Sequence, residues 1–450
     1  MRSMLRFIGL DVHKCVLQIC IIDAKGKVVF KQRLENFDRE KLLDFARKHL
    51  RLGDCVALEA TTNTWAVARL LRPFVAKVVA SNPLATKAIA QAKVKTDKID
   101  AEVLAQLLRC DYLPQVWQPD EATSLLRELT SRRTALVGDR TAVRNRIHGL
   151  LAVRLLSTPE INALFGAKGR AWLAGLSADQ LGPQGRLILD TDLRLHDAIE
   201  REIKVLEQKL AQGGYHDDRV KLLMTLPGID VTTAEALLAA LGDVSRFVDG
   251  DHAASYLGLV PSTRQSANHC YHGPITKAGN SHARSMLVQA AHSVARHPGP
   301  LGYFFRKLSK RKKYNVAIVA TARKLVVIAW HMLTRNEPYR YASPQRTAVK
   351  LARLRVSATG KRRPTGSRKG VRNVSRLPGG GRTATIKSLP RICQEEGLPA
   401  LQELSPGELR TVEQSGTSDY LASTRQDRVL PRRTRQTKAT PASNSTKTTS

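Results

Sequence analysis

Aromatic side chains are scarce, at 5% of residues, and acids are outnumbered nearly two to one, with 39 Asp+Glu against 73 Lys+Arg. The deficit of acid leaves a formal net charge of +34, which argues against a basic partner and favours a polyanion, because phosphates neutralised by Lys and Arg release their condensed counterions. A ribosomal or chromatin-type coating protein would share that charge, so charge alone fixes the class of partner and no more. Cysteine is sparse too. Cys15, Cys20, Cys55, Cys110, Cys270 and Cys393 include no C-x-x-C pair, which argues against a zinc site and a secreted disulfide framework and fits a reducing cytoplasm. Long apolar runs are missing. The N-terminal stretch meets charge too early for a signal peptide, and Val316 to Leu333 is interrupted by Arg323 and Lys324, so no membrane association is expected.

What is present is an alternation of strand and helix signals over the first hundred residues. Apolar runs at Phe7 to Leu10, Val16 to Ile22 and Val28 to Phe30 read as consecutive antiparallel strands. Asp38 can cap a helix over Arg39 to Leu50, a strand follows at Cys55 to Leu58, then a helix around Trp65 to Leu71 and a strand at Ala76 to Ala80. That element order is the RNase H-like one. Glu121 to Leu156 predicts a long helix with Leu125, Leu129, Leu136, Val143, Ile147 and Leu150 along a seam and arginines elsewhere. Asp192 to Leu210 repeats Leu195, Ile199, Ile203, Leu206 and Leu210 in a narrow stripe, suited to a coiled-coil-like pair within the chain or across a dimer. Arg219 to Phe247 predicts two helices about a Leu226-Pro227-Gly228-Ile229 turn, the shape of a helix-hairpin-helix or of an ordinary helical hairpin. Residues 341–450 hold 22 Lys+Arg against 7 Asp+Glu and are rich in Ser, Thr, Gly and Pro, which predicts a disordered basic arm.

Four carboxylates stand out by placement. Asp11 ends the first strand, Glu59 ends the Val56-Ala57-Leu58 strand, and Asp97 and Asp100 lie three apart in Lys95-Thr96-Asp97-Lys98-Ile99-Asp100, on one helix face. Taken singly, Asp97 reads as a helix cap, Asp100 as a solvated acid and Asp11 as a turn residue. Together they read differently, since an acid at the end of a buried strand is costly unless paired, and divalent cations are its natural partners. Two Mg²⁺ ions roughly 4 Å apart would clamp the attacking and leaving oxygens of a phosphodiester exchange.

GLDVHK, ALEAT-x-x-x-W and KTDKIDA, followed by LPGID-x-x-x-A, ALGDVSRF, SYLGLVP, RQS and ITKAGNSHAR, resemble the DEDD transposases of the insertion-sequence-110 family over about residues 5–335. The resemblance implies a RuvC-like nuclease domain, a coiled-coil linker and a C-terminal domain that supplies a serine nucleophile, with a phosphoserine intermediate. It implies that Asp11, Glu59, Asp97 and Asp100 hold Mg²⁺ (Mn²⁺ can substitute) and that Ser266 in Arg264-Gln265-Ser266 attacks DNA. Ala267 stands where the family usually has Gly, and Ser262 is a nearby rival. Arg264, Lys277 and Arg284 are candidate phosphate contacts, and Gly279 a site of close backbone approach, though each charge could equally be solvated. His13 and Lys14 can touch phosphate or simply face solvent. A metal site on His269, His272 and His282 is not expected, because no cysteine partners them at ligand spacing.

The resulting expectation is an α/β RNase H-like (RuvC-like) domain at 1–115, a helical coiled-coil linker at 116–213, a mainly α transposase domain with a helix-hairpin-helix-like element at 214–335, and a disordered basic tail at 336–450. The function expected is excision and insertion of its own element. The partners expected are double-stranded DNA and a structured guide (bridge) RNA, in a cytoplasmic, nucleoid-associated homo-oligomer, a dimer or tetramer, because joining two ends requires two active sites. A Holliday-junction nuclease would need the four acids but not Ser266. A non-catalytic nucleic-acid-binding protein would need neither.

Overall fold

The computed structural model describes residues 5–89, 97–161, 163–266, 269–361 and 383–431. The chain forms two compact units, Met1–Asp120 and Glu121–Ser450. In the first, the elements run β1 (Phe7–Val12), β2 (Val16–Ile22), β3 (Val28–Glu35), α1 (Arg39–His49), β4 (Cys55–Glu59), α2 (Thr64–Leu71), β5 (Lys77–Ser81), α3 (Pro83–Ile89), α4 (Asp97–Arg109) and β6 (Gln115–Val116). They build one mixed sheet in the order β3-β2-β1-β4-β5-β6, antiparallel over β1 to β3 and parallel from β1 through β4 to β5.

Strand periodicity of two sorts β1 into two faces. Ile8, Leu10 and Val12 point to one face and pack with Leu42, Phe45, Ala46, Val67 and Leu71 of α1 and α2. Gly9 and Asp11 point to the other, where α4 lies. A Cβ built on Gly9 would stand 1.8 Å from the Ala101 carbonyl oxygen and 2.8 Å from the Ala105 amide nitrogen, so the helix backbone rests directly on the strand. Ala101 and Ala105 pack with Cys20 and Ile22, and Leu104 and Leu108 with Ala57 and Val79. A Lys31–Glu102 ion pair at 2.7 Å and a bond from Gln106 Nε2 to the Gly26 carbonyl at 2.8 Å hold the solvent side of α4 to the β2–β3 hairpin.

The second unit contains α5 (Glu121–Val153), α6 (Ala167–Gly175), α7 (Ala178–Leu181), α8 (Pro183–His216), α9 (Asp218–Met224), α10 (Val231–Leu241), α11 (Gly250–Tyr256), β7 (Pro261–Ser266), β8 (His269–Ile275), α12 (Ser281–Val294), α13 (Pro300–Ser309), α14 (Tyr314–Arg335), α15 (Pro344–Thr359), β9 (Thr383–Ile386), α16 (Leu389–Glu395), α17 (Pro406–Gln414), α18 (Ser418–Arg425) and β10 (Arg428–Pro431). The long helices α5 and α8 pair within the chain through Leu136, Val143, Ile147 and Leu151 against Leu189, Ile199 and Ile203. Ion pairs join Arg146 to Asp192, Arg140 and Arg144 to Glu200, and Arg133 to Glu207. Partner numbers rise as α5 numbers fall, so the two helices run antiparallel. Asp192 and His196 are buried in the seam while Leu195 is exposed, which rotates the stripe away from the one expected from the leucines alone.

α14 is the one described helix long and apolar enough to span a membrane, yet it is a core helix: Ala317, Ile318, Ala322, Leu325, Val326 and Ala329 are buried, with α12, α11 and α13 packed against it. Arg323 on its solvent side pairs with Asp251 at 3.0 Å.

The expectation of a disordered tail over 336–450 fails for residues 336–361 and 383–431. Leu351, Leu354, Leu389, Ile392, Cys393 and Leu398 join the main core of the second unit. The segment is too poor in apolar residues to make a core of its own, but it adds to one already made. Its share at 362–382 and 432–450 lies outside the described residues. A buried clip fastens α18: Tyr420 Oη lies 3.2 Å from His297 Nε2 and donates to the Tyr341 carbonyl at 3.1 Å, while the Gly299 amide donates to His297 Nδ1 at 3.1 Å. That pattern needs a neutral ring with the proton on Nε2. Burial, then Arg346, Lys350 and Arg306, push the His297 pKa down to about 4 from 6.5. The unfolded chain therefore binds the proton more readily, so this contribution to stability is complete above pH 6.5 and is lost as pH falls from 6.5 to 4. Glu235, pushed up to about 7 by burial first, tilts the opposite way as pH rises from 4.5, so the informative quantity is a difference. Urea melts of wild type and His297→Gln at pH 7 and pH 4.5 are expected to differ by about 2 kcal/mol less at the lower pH. An equal gap at both would remove His297 as the source.

Candidate active site

The site is built from strand ends. β1 and β4 are parallel neighbours in the register Gly9↔Ala57 and Leu10↔Leu58, and one step further sets Asp11 beside Glu59, on strands about 4.8 Å apart. Glu59 follows Ala57 by two, so both acids project to the face that carries α4. Asp11 is 4% exposed and Glu59 half-buried. Asp100 is half-buried in the first turn of α4, four residues before Leu104 and one before Ala101, which seat the helix on the sheet. Asp97 opens that helix; its side chain is outside the described residues. Ser81, in register with Glu59, is fully buried, and its hydroxyl has no partner among the described residues.

Sequence reasoning had singled out the acids but not Gly9 or Ser81. Gly9 was visible in Gly9-Leu10-Asp11, two residues before an acid and so on its face. Ser81 carries no motif and emerges only from strand pairing.

The donors suit a hard cation: carboxylates and a buried, unpartnered hydroxyl gathered at the carboxyl ends of parallel strands, near a helix N-terminus whose amides favour negative charge. Among the described residues no three acidic, imidazole or thiol groups stand close enough to hold a metal ion as they are. Asp11 Oδ2 lies 3.1 Å from His13 Nε2, on an exposed ring. His13 thus has an acidic partner in the chain, beyond the phosphate contact or solvent exposure expected of it.

The remaining candidates lie in the second unit. Ser266 ends β7, a ribbon strand exposed along most of its length, and is paired across the hairpin with His269; Arg264 pairs with Tyr271. Ser266 Oγ makes no hydrogen bond among the described residues, and Ala267 lies outside them. Ser262, the rival, donates to the Pro274 carbonyl at 3.1 Å. Three expected nucleic-acid contacts have intramolecular work. Gly279, at φ +70°, lets the chain pass Tyr256, whose carbonyl oxygen would meet a Cβ at 2.1 Å. Arg284 donates to the Leu257 and Ala278 carbonyls at 3.0 and 2.9 Å, bracing the same loop. Lys277 is exposed at φ +54°, its amide bonded to the Gly258 carbonyl. Arg264 is exposed. His282 lies 3.0 Å from Thr134 Oγ1, and burial, then Arg133, holds it below the usual imidazole range.

Residues 8–153 match a family model for transposases, the IS110-type DEDD model, and residues 220–305 match the transposase IS116/IS110/IS902 family model. A probable family 20 transposase of Pseudomonas aeruginosa is 30% identical over 342 residues, 74% of this chain and 98% of that protein. The chain belongs to the IS110-type transposase family. Other transposase-family relatives include the transposase for insertion sequence element IS1111A of Coxiella burnetii, 28% identical over 75% of this chain and 93% of that one. The pilin gene-inverting protein of Moraxella bovis is 27% identical over 74% of this chain and 97% of its own length. The first model spans the whole carboxylate face, and the second spans the α9–α10 turn and the Ser266 hairpin.

Proposed function

We propose that this chain excises and inserts its own element by cutting DNA with a metal-dependent carboxylate site and a serine nucleophile, guided by a structured RNA. The observation that carries the reading is that Asp11 and Glu59 occupy adjacent parallel strand ends on the face covered by α4, whose first turn supplies Asp100. The strand order β3-β2-β1-β4-β5 with α4 across one face supports an RNase H-like, RuvC-like domain. Asp11, Glu59, Asp97 and Asp100 would hold Mg²⁺, which when bound supplies Lewis acidity toward phosphate oxygens.

The chain's own contributions follow from placement. Asp11 is buried, with the His13 ring 3.1 Å away, so a bound cation would meet a carboxylate that is poorly solvated by water. Gly9 fixes α4, and with it Asp100, against the strand. Ser266 Oγ attacks phosphorus while the bond from phosphorus to a deoxyribose oxygen breaks, its proton passing to a nearby base. Because the phosphoserine ester keeps the energy of the broken bond, a strand hydroxyl can later displace the serine and reseal the DNA. His269, across the hairpin from Ser266, and Arg264 on the same ribbon face suit proton transfer and phosphate contact. The α9–turn–α10 hairpin would approach DNA as a helix-hairpin-helix does. Two ends must be joined at once, which favours a dimer or tetramer.

Excision of a marked element from a plasmid, scored by colony PCR, tests the serine assignment. Ser266→Ala is expected to abolish excision, on the order of 10³-fold, while Ser262→Ala keeps it within about 10-fold, since its hydroxyl only braces Pro274. The reverse ranking would transfer the nucleophile to Ser262. Loss in neither would favour a metal-only nuclease.

A further inference from the structure

The family models stop at residue 305 and the relatives above cover about three-quarters of this chain, so α15 lies beyond both models. It forms one wall of a cleft of about 480 Å³, whose opposite wall is the Thr225-to-Gly228 turn and the end of α12. Arg346, Lys350 and Arg353 stand at i, i+4 and i+7 on α15 and all line this cleft, while Leu351 and Leu354 turn into the core. Ser293, Ser343 and Gln345 add polar groups, and no Asp or Glu is among the lining residues.

Several arginines elsewhere in the unit are neutralised within the chain. Arg133, Arg140, Arg144, Arg146, Arg340 and Arg355 each meet a carboxylate. Arg346 and Arg353, both exposed, meet none among the described residues. Lys350 Nζ is deeply set, donating to the Leu226 and Ile229 carbonyls at 2.7 and 2.9 Å, and so clamps α15 to the turn. Burial first, and the Arg346 charge with it, push its pKa down to about 7, Asp230 pulling the other way. On the turn itself, Gly228 is exposed at φ +80°, a Cβ built on it would stand 2.4 Å from the Ala290 carbonyl oxygen, and its N–H donates to no group among the described residues. Unpaired arginines and an open turn amide around a cleft lined by no carboxylate are complementary to an anion with several oxygens.

We infer that this cleft is a binding site for backbone phosphate of a nucleic acid, added by α15 to the α9–α10 turn. It rests on the reading above that the chain acts on nucleic acid. In that arrangement the turn offers its amide and Arg346 and Arg353 offer two charges to neighbouring phosphates. The sequence beyond residue 336 then contributes an ordered, located contact as well as general positive charge. Duplex DNA and folded RNA present the same chemistry, and the experiment separates them.

Full-length wild type, Arg346→Ala/Arg353→Ala, Arg346→Lys/Arg353→Lys and a control Arg201→Ala/Arg410→Ala would be titrated by fluorescence anisotropy from 50 to 300 mM salt. The probes are a labelled element-end DNA duplex and a labelled hairpin RNA of equal length. The alanine pair is expected to flatten the log–log salt slope by about 2 and weaken binding about 10-fold at 150 mM, for the polymer that occupies the cleft. The lysine pair should keep the slope, which also guards against a folding defect, and the control pair should match wild type. A change with DNA alone or with RNA alone names the source. Equal loss in the alanine and control pairs, or no loss with either polymer, overturns the cleft. Failure of wild type itself to bind either polymer would instead overturn the broader reading.

Discussion

Asp11→Asn is expected to lower Mg²⁺-dependent cleavage of element-end DNA by about 10³-fold or more, while leaving the melting temperature unchanged or higher. The two effects separate because this acid is buried beside another. At 4% exposure, next in register to Glu59, its negative charge is costly to desolvate and stands beside a second acid, a cost that a held cation would relieve. Asparagine keeps the shape, removes that cost and cannot supply the charge. Parallel single-turnover cleavage and calorimetry on the two proteins check both halves. Cleavage within about 10-fold of wild type would take Asp11 out of the metal site, and a large drop in melting temperature would make it a structural acid.

The second large effect belongs to a residue without chemistry of its own. Gly9→Ala adds a single methyl group, 1.8 Å from the Ala101 carbonyl oxygen and 2.8 Å from the Ala105 amide nitrogen. Both are backbone atoms of a helix held by Lys31–Glu102 and Gln106–Gly26, so no side chain can swing away. Either α4 lifts, or β1 bends. A loss of about 3 kcal/mol or more in the first unit is expected, with cleavage falling as well because Asp100 travels with the helix. Gly138→Ala on α5, where an added Cβ meets nothing within 4 Å, is the matched control and should stabilise by up to about 1 kcal/mol. Chemical denaturation of the two variants settles the matter, and a Gly9→Ala protein as stable as wild type would mean α4 does not rest on β1.

How much of this was legible beforehand varied with the kind of signal. The first unit's element order was readable because its strands alternate and its helices are periodic, and each segment's local preference agrees with its place in the sheet. The four carboxylates were readable as acids at strand and helix ends. That Asp11 and Glu59 share a face needed the register Gly9↔Ala57, which no single strand contains. The α5–α8 pairing was half legible: leucine spacing marked a stripe, but the buried His196 and Asp192 shifted it, since Arg144 donates to His196 and Arg146 pairs with Asp192, which lets polar residues into the seam. The ordered extension was misread for a physical reason. Composition asks whether a segment can bury enough apolar surface by itself, and Leu351, Leu354, Leu389 and Ile392 are too few for that. They suffice when α8 and α9 already offer α15 a surface. The phosphate cleft was hidden with them, since Arg346, Lys350 and Arg353 look like unremarkable positive charge until α15 is placed on the Pro227-Gly228 turn.

The measurement that tests the central claim most directly is denaturing electrophoresis of the purified protein after incubation with Mg²⁺, guide RNA and end-labelled element-junction DNA. Wild type, Ser266→Ala and Asp11→Ala would run side by side. The account predicts label at the mass of the protein in wild type alone, because a phosphoserine link needs both the hydroxyl and the carboxylate site. Cut DNA without any protein-linked label, persisting in Ser266→Ala, would contradict it and leave a nuclease that works through its acids alone.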